Sequence, residues 1–467
     1  MKPLAGVVAI LLVLASGRVQ SQELLSLDQA VDVALTNNLA LRAALSQEEA
    51  GTWGERTAYA NFLPRVSVDA GYTRIDPETE RRANAAVDFI RSSAGALGIP
   101  PSMLGEIRPF AYRNEFSTTL TVVQPLYNGG AELVGVHAAS AEADRSRFSY
   151  EDTEQSVIAQ TRIAYYNVLK ADALARLSRE MADRTRRYLE MTRRRADMGM
   201  RTETDVLRWE VQLASDEGAV ISADNTLAAS RLALNEVMGV ELDRLYSLER
   251  PASLDSLLAS DEPLVPGPAL ASLVGSLVPE KVNTEQLGRH PAMKMMDANL
   301  RLADAGIGQA WVSFRPRINL AFQYGWEKNN TLAFDGYRPW ALALSFSWPI
   351  FNGFGDYTNL QRAHAEFDRT KSQVESFRRL LAMQATNAHL AVKAARQRID
   401  IARKAEEEAA DVLASVSRRY EHGAASNVDL IDVQTAYSAA RTSLISALSD
   451  YYVAQVELAR ATGTISQ

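Results

Sequence analysis

Four short segments alternate between large apolar residues and small or polar ones, and four such strands cannot close a barrel. In the first, Val66, Val68, Ala70 and Tyr72 oppose Ser67, Asp69, Gly71 and Thr73. In the second, Phe116, Leu120 and Val122 oppose Ser117, Thr119 and Thr121. The third sets Ile318, Leu320, Phe322, Tyr324 and Trp326 against Asn319, Ala321, Gln323 and Gly325. The fourth sets Trp340, Leu342, Leu344, Phe346 and Trp348 against Ala341, Ala343, Ser345 and Ser347. Each is about 9–11 residues, the length of a transmembrane strand. Tyr72, Trp326, Trp340 and Trp348 lie near segment ends, as in the aromatic girdles of lipid-facing barrels. Taken alone, such strands also suit a soluble sandwich with one buried face. In lipid, an open sheet leaves two edges of unpaired backbone groups, each costing several kcal/mol. Sister chains must then complete the wall. A dimer, trimer or tetramer would supply eight, twelve or sixteen strands, and the strand pattern does not choose among them.

The chain is also two copies of one unit. Leu63-Pro64-Arg65-Val66 resembles Arg315-Pro316-Arg317-Ile318 at an offset of 252, which also aligns Tyr72 with Tyr324. Gln124-Pro125-Leu126-Tyr127-Asn128-Gly129 resembles Trp348-Pro349-Ile350-Phe351-Asn352-Gly353 at an offset of 224. That second offset pairs Gly199 with Gly423, Asp205 with Asp429, and Gly239 with Gly463. The extra residues of copy one fall between Ile75 and Tyr112, and this stretch reads as a surface loop. We predict a signal peptide over 1–21, repeat 1 over 22–239 with strands at about 64–75 and 113–125, a linker over 240–284, and repeat 2 over 285–467 with strands at about 316–327 and 339–349.

Each repeat reads helix, strand, strand, long helix, helix. No proline interrupts Asn128 to Met198, and Phe351 to His422 is similar. A continuous helix of that length would reach about 105 Å. The shorter helix after it carries a heptad seam: Leu430, Val433, Tyr437, Ala440, Leu444, Ala447, Tyr451, Ala454, Leu458 and Ala461 in copy two. Copy one repeats the seam from Val206, Trp209 and Leu213 to Val237, with Asp216 breaking it.

The signal peptide is read from an apolar run, Leu4 to Ala15, after Lys2 and before a small-residue site near Ser21. No later run is long enough for a membrane helix, so any crossing must use strands. Cysteine is absent, which excludes a lipidated N-terminal cysteine. The net charge of −7 gives no sign of a nucleic-acid partner. The five histidines show no metal-ligand spacing, and no nucleophile elbow or phosphate loop is present, so neither enzyme activity, metal nor cofactor is predicted. Met293, Met295 and Met296 read as helix core, and Arg193 to Arg195 and Arg418-Arg419 as solvated faces.

The two-copy pattern resembles the TolC-type outer-membrane efflux proteins. The stretches that carry the likeness are Leu27 to Asn38, Gln124 to Gly130, Trp348 to Gly355, and Tyr420-Glu421-His422-Gly423 running into Val428 to Val433. The resemblance implies a mixed α and β membrane protein: a homotrimer with one 12-stranded β-barrel, four strands per chain, on a long α-helical coiled-coil periplasmic tunnel. It implies an outer-membrane exit duct in outer-membrane lipid, working with a periplasmic adaptor and an inner-membrane pump that selects the substrate. A periplasm-spanning tether and a stand-alone porin are the alternatives.

The turn between long and short helix then becomes the periplasmic tip, at Gly423 to Val428 in copy two and Gly199 to Thr204 in copy one. Glycine suits a helix C-terminus, and Ser426 or Asn427, and Thr202 or Thr204, can cap the next helix. Asp429 and Asp432 lie three apart and share a face. The resemblance implies that they line the aperture and bind cations. Stacked carboxylate rings would favour cations and raise some of their own pKa values, whereas acids at a helix N-terminus also simply suit its dipole. By the same resemblance, Tyr420 and Asp205 hydrogen-bond between neighbouring coiled coils to hold the tip shut. A further family lock places an arginine at Ala425 and its partner at Thr204. Here Arg201 holds the equivalent place in copy one, so the closing network is expected to be rearranged.

Overall fold

A computed structural model describes residues 24–100, 102, 109–249, 287–329 and 338–465. The expected signal peptide and most of the expected linker lie outside the described residues. In chain order the elements are β1 (Leu24–Leu25), α1 (Leu27–Asn37), α2 (Leu39–Ala60), β2 (Arg65–Arg74), α3 (Pro77–Ala96), β3 (Asn114–Asn128), α4 (Ala131–Asp197), α5 (Glu203–Met238), β4 (Ser247–Leu248), α6 (Pro291–Val312), β5 (Arg317–Asn329), β6 (Trp340–Ser347), α7 (Gly355–Glu421) and α8 (Asn427–Thr462). Each bound of α7 and α8 lies 224 residues after the matching bound of α4 and α5. The chain divides into two units, one of residues 1–44, 150–291 and 378–467, the other of residues 45–149 and 292–377.

The second unit holds a four-stranded antiparallel sheet in the order β2-β3-β5-β6. Its register places Val68 beside Leu120, Leu120 beside Tyr324, Phe322 beside Leu342, and Ile318 beside Phe346. Strand side chains alternate in direction, so one face is apolar across all four strands. The other carries Ser67, Asp69, Thr119, Thr121, Gln323, Ser345 and their neighbours. Every residue of β2 and β6 is exposed, and these are the edge strands. A bulge falls between Pro125 and Tyr127, where proline cannot donate to the ladder. No described helix is long and apolar enough to cross a membrane.

Two expectations need correction here. The stretch between Ile75 and Tyr112 is not simply a loop: it contains α3, whose N-cap Asp76 accepts from the amides of Glu78 and Thr79 at 2.9 and 3.0 Å. An acidic cap, Pro77 in the first turn and an alanine-rich sequence start and sustain that helix. Asn84 then ties α3 to the returning chain, accepting from Phe110 and Ala111 and donating to the Ala111 carbonyl. The last strand is also shorter than expected. It stops at Ser347, and Trp348 turns its indole N–H to the Phe314 carbonyl at 3.1 Å just before Pro349.

The first unit is a helical core. Val157, Tyr165, Tyr166 and Leu169 of α4 pack with Leu227 and Leu234 of α5, Ile399 of α7, and Leu444, Leu448 and Tyr452 of α8. The short pair β1–β4 runs parallel, and the Tyr165 hydroxyl donates to the carbonyls of Leu25 and Glu249 at 3.0 and 2.7 Å. Burial of that phenol raises its pKa far above the ordinary tyrosine range.

Candidate functional site

At the α4–α5 and α7–α8 turns, local sequence dictates the geometry. Gly199 and Gly423 take φ of 72° and 78°, the left-handed region that glycine enters without cost. Beyond them, the Met200 amide donates to the Arg195 carbonyl and the Ala424 amide to the Arg419 carbonyl, at 2.8 and 2.7 Å. Thr202 and Ser426, rather than Thr204 and Asn427, are the N-caps. Each closes a capping box, with Asp205 and Asp429 as the reciprocal acids. Thr204 lies exposed in the first turn of α5.

Behind the turns lies a buried aromatic and polar cluster. Tyr420 is fully buried with Tyr188, Leu189, Trp209, Leu413 and Leu430. Its hydroxyl donates to Asn427 Oδ1 at 2.9 Å, accepts from Trp209 Nε1 at 3.1 Å, and lies 2.7 Å from Thr192 Oγ1. Asn427 in turn donates to the backbone carbonyl of Asp205 at 2.9 Å. One phenol therefore gathers α4, α5 and α8 around α7. Tyr420 and Asp205 belong to one network, but Asn427 links them through the Asp205 backbone. The Asp205 carboxylate instead accepts from the Thr202 hydroxyl and amide, at 2.9 and 3.2 Å.

Arginines close the same cluster from the first half of the chain. Arg195 donates to the carbonyls of Tyr420 and Glu421 at 3.0 and 2.5 Å. These are among the last carbonyls of α7, where unpaired acceptors and the helix dipole favour a cation. Arg201 donates to the Ala425 carbonyl at 3.2 Å, and its guanidinium lies 5.2 Å from the Tyr420 ring centroid. Arg195 is therefore not on a solvated face, contrary to the sequence reading. Arg193 pairs with Glu210 at 2.6 Å, and Arg419 reaches the Ala424 carbonyl at 3.3 Å.

Asp429 and Asp432 are both exposed. Within the chain, the Ser426 hydroxyl and amide, and then the Arg419 charge, hold the Asp429 carboxyl below the usual carboxylate range. Among the aromatics, Tyr72 packs against Phe116 with ring centroids 4.8 Å apart, and Tyr324 against Trp326 at 4.7 Å. Trp340 and Trp348 are well exposed.

Asp216 now has a partner set. The Thr185 hydroxyl donates to it at 2.6 Å and the Gln212 amide at 2.8 Å, while Gln434 donates to Thr185 at 2.7 Å. The seam is broken to link α4, α5 and α8. Sequence reasoning missed Thr192 and Gln434, whose partners lie more than 200 residues away, and read Asn427 as a candidate cap rather than as the link from Tyr420 to Asp205. Trp209 was visible only as a seam position.

The sheet with one apolar face and the paired long and short helices fit outer-membrane channels, and comparison with known proteins decides the family. A family model described as outer membrane efflux protein matches residues 30–240 and 283–464. The chain belongs to the outer membrane efflux protein family. It is an outer-membrane protein of efflux, not an enzyme. Among relatives, CyaE of Bordetella pertussis is 25% identical over 382 residues, covering 80% of this chain and 70% of CyaE. TolC of Salmonella enteritidis is 22% identical over 363 residues, covering 76% and 70%. The crystal structure of the Campylobacter jejuni CmeC outer membrane channel superposes with a TM-score of 0.74 at 19% identity, covering 94% of this chain and 85% of CmeC. The efflux-protein fold thus spans nearly the whole chain, with α3 falling outside the two-copy pattern.

Proposed function

We propose that three copies of this chain close a single 12-stranded barrel in outer-membrane lipid and continue as a helical tunnel into the periplasm. The assembly is a passive exit duct for an inner-membrane pump joined through a periplasmic adaptor. The observation that carries this reading is the sheet: one continuous apolar face, one polar face, and two unpaired edge strands. An edge left open in lipid costs several kcal/mol for each unpaired backbone group, and closure with sister chains removes that cost. Tyr72, Trp326, Trp340 and Trp348 then meet the lipid interface.

In the same reading the turns at Gly199 and Gly423 form the tip. Tyr420, Arg201 and the Asp205 backbone hold it shut, and Thr204 faces outward beside them. Asp429 and Asp432 ring the aperture. The buried network at Tyr420 favours a gated duct over an always-open porin, since a free pore needs no such clasp. Single-channel recording in planar bilayers tests this. The expected result is low, cation-preferring conductance that rises in Tyr420→Phe and loses its cation preference in Asp429→Ala/Asp432→Ala. No conductance from any variant would favour a tether, and large unregulated conductance from the wild type a porin.

A further inference from the structure

The two copies build the same joint with different chemistry. At the offset of 252, His290 stands where copy one has Asn38, each one residue before a helix, α6 or α2. At the offset of 224, Gly463 matches Gly239, the left-handed glycines that end α8 and α5. The glycine abuts the residue in both joints. A Cβ on Gly463 would lie 2.9 Å from His290 Cδ2, and one on Gly239 would lie 3.0 Å from the backbone nitrogen of Asn38. In both joints the side chain also meets a carbonyl in the last turn of the glycine's helix, where the helix itself supplies no partner. Asn38 Nδ2 donates to the Val237 carbonyl at 2.8 Å, and His290 Nε2 lies 3.1 Å from the Arg460 carbonyl. A carboxamide keeps its charge state across physiological pH, whereas an imidazole does not.

The second joint is also the one that carries ions. His290 is 2% exposed. Its Nε2 lies 3.2 Å from Arg460 Nη1, and Arg460 Nη2 donates to Asp152 Oδ1 of α4 at 2.7 Å. One ring nitrogen therefore faces both a carbonyl and a guanidinium of the same residue. A neutral ring suits either: with a proton on Nε2 it donates to the carbonyl, and with Nε2 bare it accepts from the guanidinium. A charged ring can only donate, which sets its proton against the guanidinium N–H and a cation against a cation. Arg460 of α8 and Asp152 of α4 are the charged groups that act on the ring, and Arg289 beside it is exposed. Gln155 of α4 adds a neutral contact, 3.5 Å from the Gly463 carbonyl. Copy one has Glu236 at the position of Arg460, so this cation has no counterpart there.

We propose that His290 is an acid-sensitive latch: neutral, it pins the end of α8 to the start of α6, and protonated, it loosens both, while the Asn38 joint stays closed. Its place in the chain suits a latch. His290 and Asp152 stand within two residues of points where the chain passes from one unit to the other, after Pro291 and before Tyr150. Burial, with the Arg460 charge adding to it, holds the His290 pKa below the ordinary histidine value, against the Arg460 carbonyl and Asp152, which pull it up. A histidine depressed in the folded chain contributes stability above its ordinary value of about 6.5, and loses it as pH falls through the lower folded one. Acid therefore opens this joint and leaves its copy-one counterpart alone.

Hydrogen exchange of the full-length protein in detergent tests the latch, read as protection factors so that the intrinsic pH dependence of exchange drops out. The copy-two joint is followed at Leu287–Met293 and Leu458–Ile465, and the copy-one joint at Asn37–Leu41 and Val237–Val240. Between about pH 7.5 and about pH 5 the copy-two joint should lose at least about threefold protection, and the copy-one joint should keep its own. His290→Asn, which installs the copy-one residue, should remove the loss. Unchanged protection at the copy-two joint, an equal loss at both joints, or the same loss in His290→Asn would overturn the proposal. The comparison of the two joints within the wild type needs no variant, so it decides the matter even if His290→Asn does not fold.

Discussion

Tyr420 gathers the polar bonding behind the α7–α8 turn. Its hydroxyl meets Trp209, Asn427 and Thr192 in a fully buried site, so Tyr420→Phe leaves the indole N–H without that acceptor. A buried donor left unpaired costs about 1–3 kcal/mol. Tyr420→Phe should speed amide hydrogen exchange in the first turns of α5 and α8 by roughly ten- to a hundredfold, at about 1.4 kcal/mol per tenfold, with the helical core around Tyr165 and Leu444 unchanged. Exchange equal to wild type at the tip would remove Tyr420 from the clasp. Asp429 gives a pH dependence with a definite sign. Its folded pKa lies below the ordinary aspartate value, so the cap's contribution is present above that ordinary value and is lost as pH falls through the lower folded one. The Ser426 amide, which donates to Asp429, should lose protection in wild type as pH falls below the ordinary aspartate value of about 4, a step that Asp429→Ala removes because it lacks the reciprocal carboxylate at every pH. Tyr420, Asp205 and Arg201 were legible by resemblance. How they connect was not, because Thr192 looks like an ordinary helix residue and Asn427 like a cap until the fold sets both on one phenol.

The helix ends were the most legible elements, because glycine and hydroxyl residues mark them locally. Gly239 and Gly423 show how much context that local signal leaves out. Both have positive φ, at 66° and 78°. A Cβ on Gly423 would meet open space, whereas one on Gly239 would lie 2.6 Å from the backbone oxygen of Asn37. Gly423→Ala should cost about 1 kcal/mol for the left-handed conformation alone. Gly239→Ala should cost at least about 1–3 kcal/mol more, because the α1 terminus must shift. Apparent melting temperatures in detergent compare the two, and equal losses would contradict the close approach of α1 to α5. The strands were legible from alternation, since a period of two survives wherever one face is apolar. Helix α3 was not, because the length difference between copies hid its acidic cap and Pro77 within an expected loop. Asp216 looked like a flaw in the seam for a similar reason: its partners Thr185 and Gln212 lie on α4 and one turn back on α5, and Gln434 enters from α8.

At the scale of the whole molecule, a single chain leaves much unfinished. Val66, Val68, Leu342, Leu344 and Phe346 stand 61–68% exposed on the apolar face of the sheet, and Ile221 and Ile401 stand open on the helices. A monomeric water-soluble protein rarely carries apolar faces of that extent. In the proposed duct, lipid covers the first set and sister chains the second. What the strand pattern alone left open was the number of chains, since no residue in an amphipathic strand records how many neighbours complete the ring. Native mass spectrometry of the protein released from detergent counts them directly. A shared barrel requires one species of three chains, with no monomer at working concentration. A stable single-chain species, soluble without detergent, would contradict it.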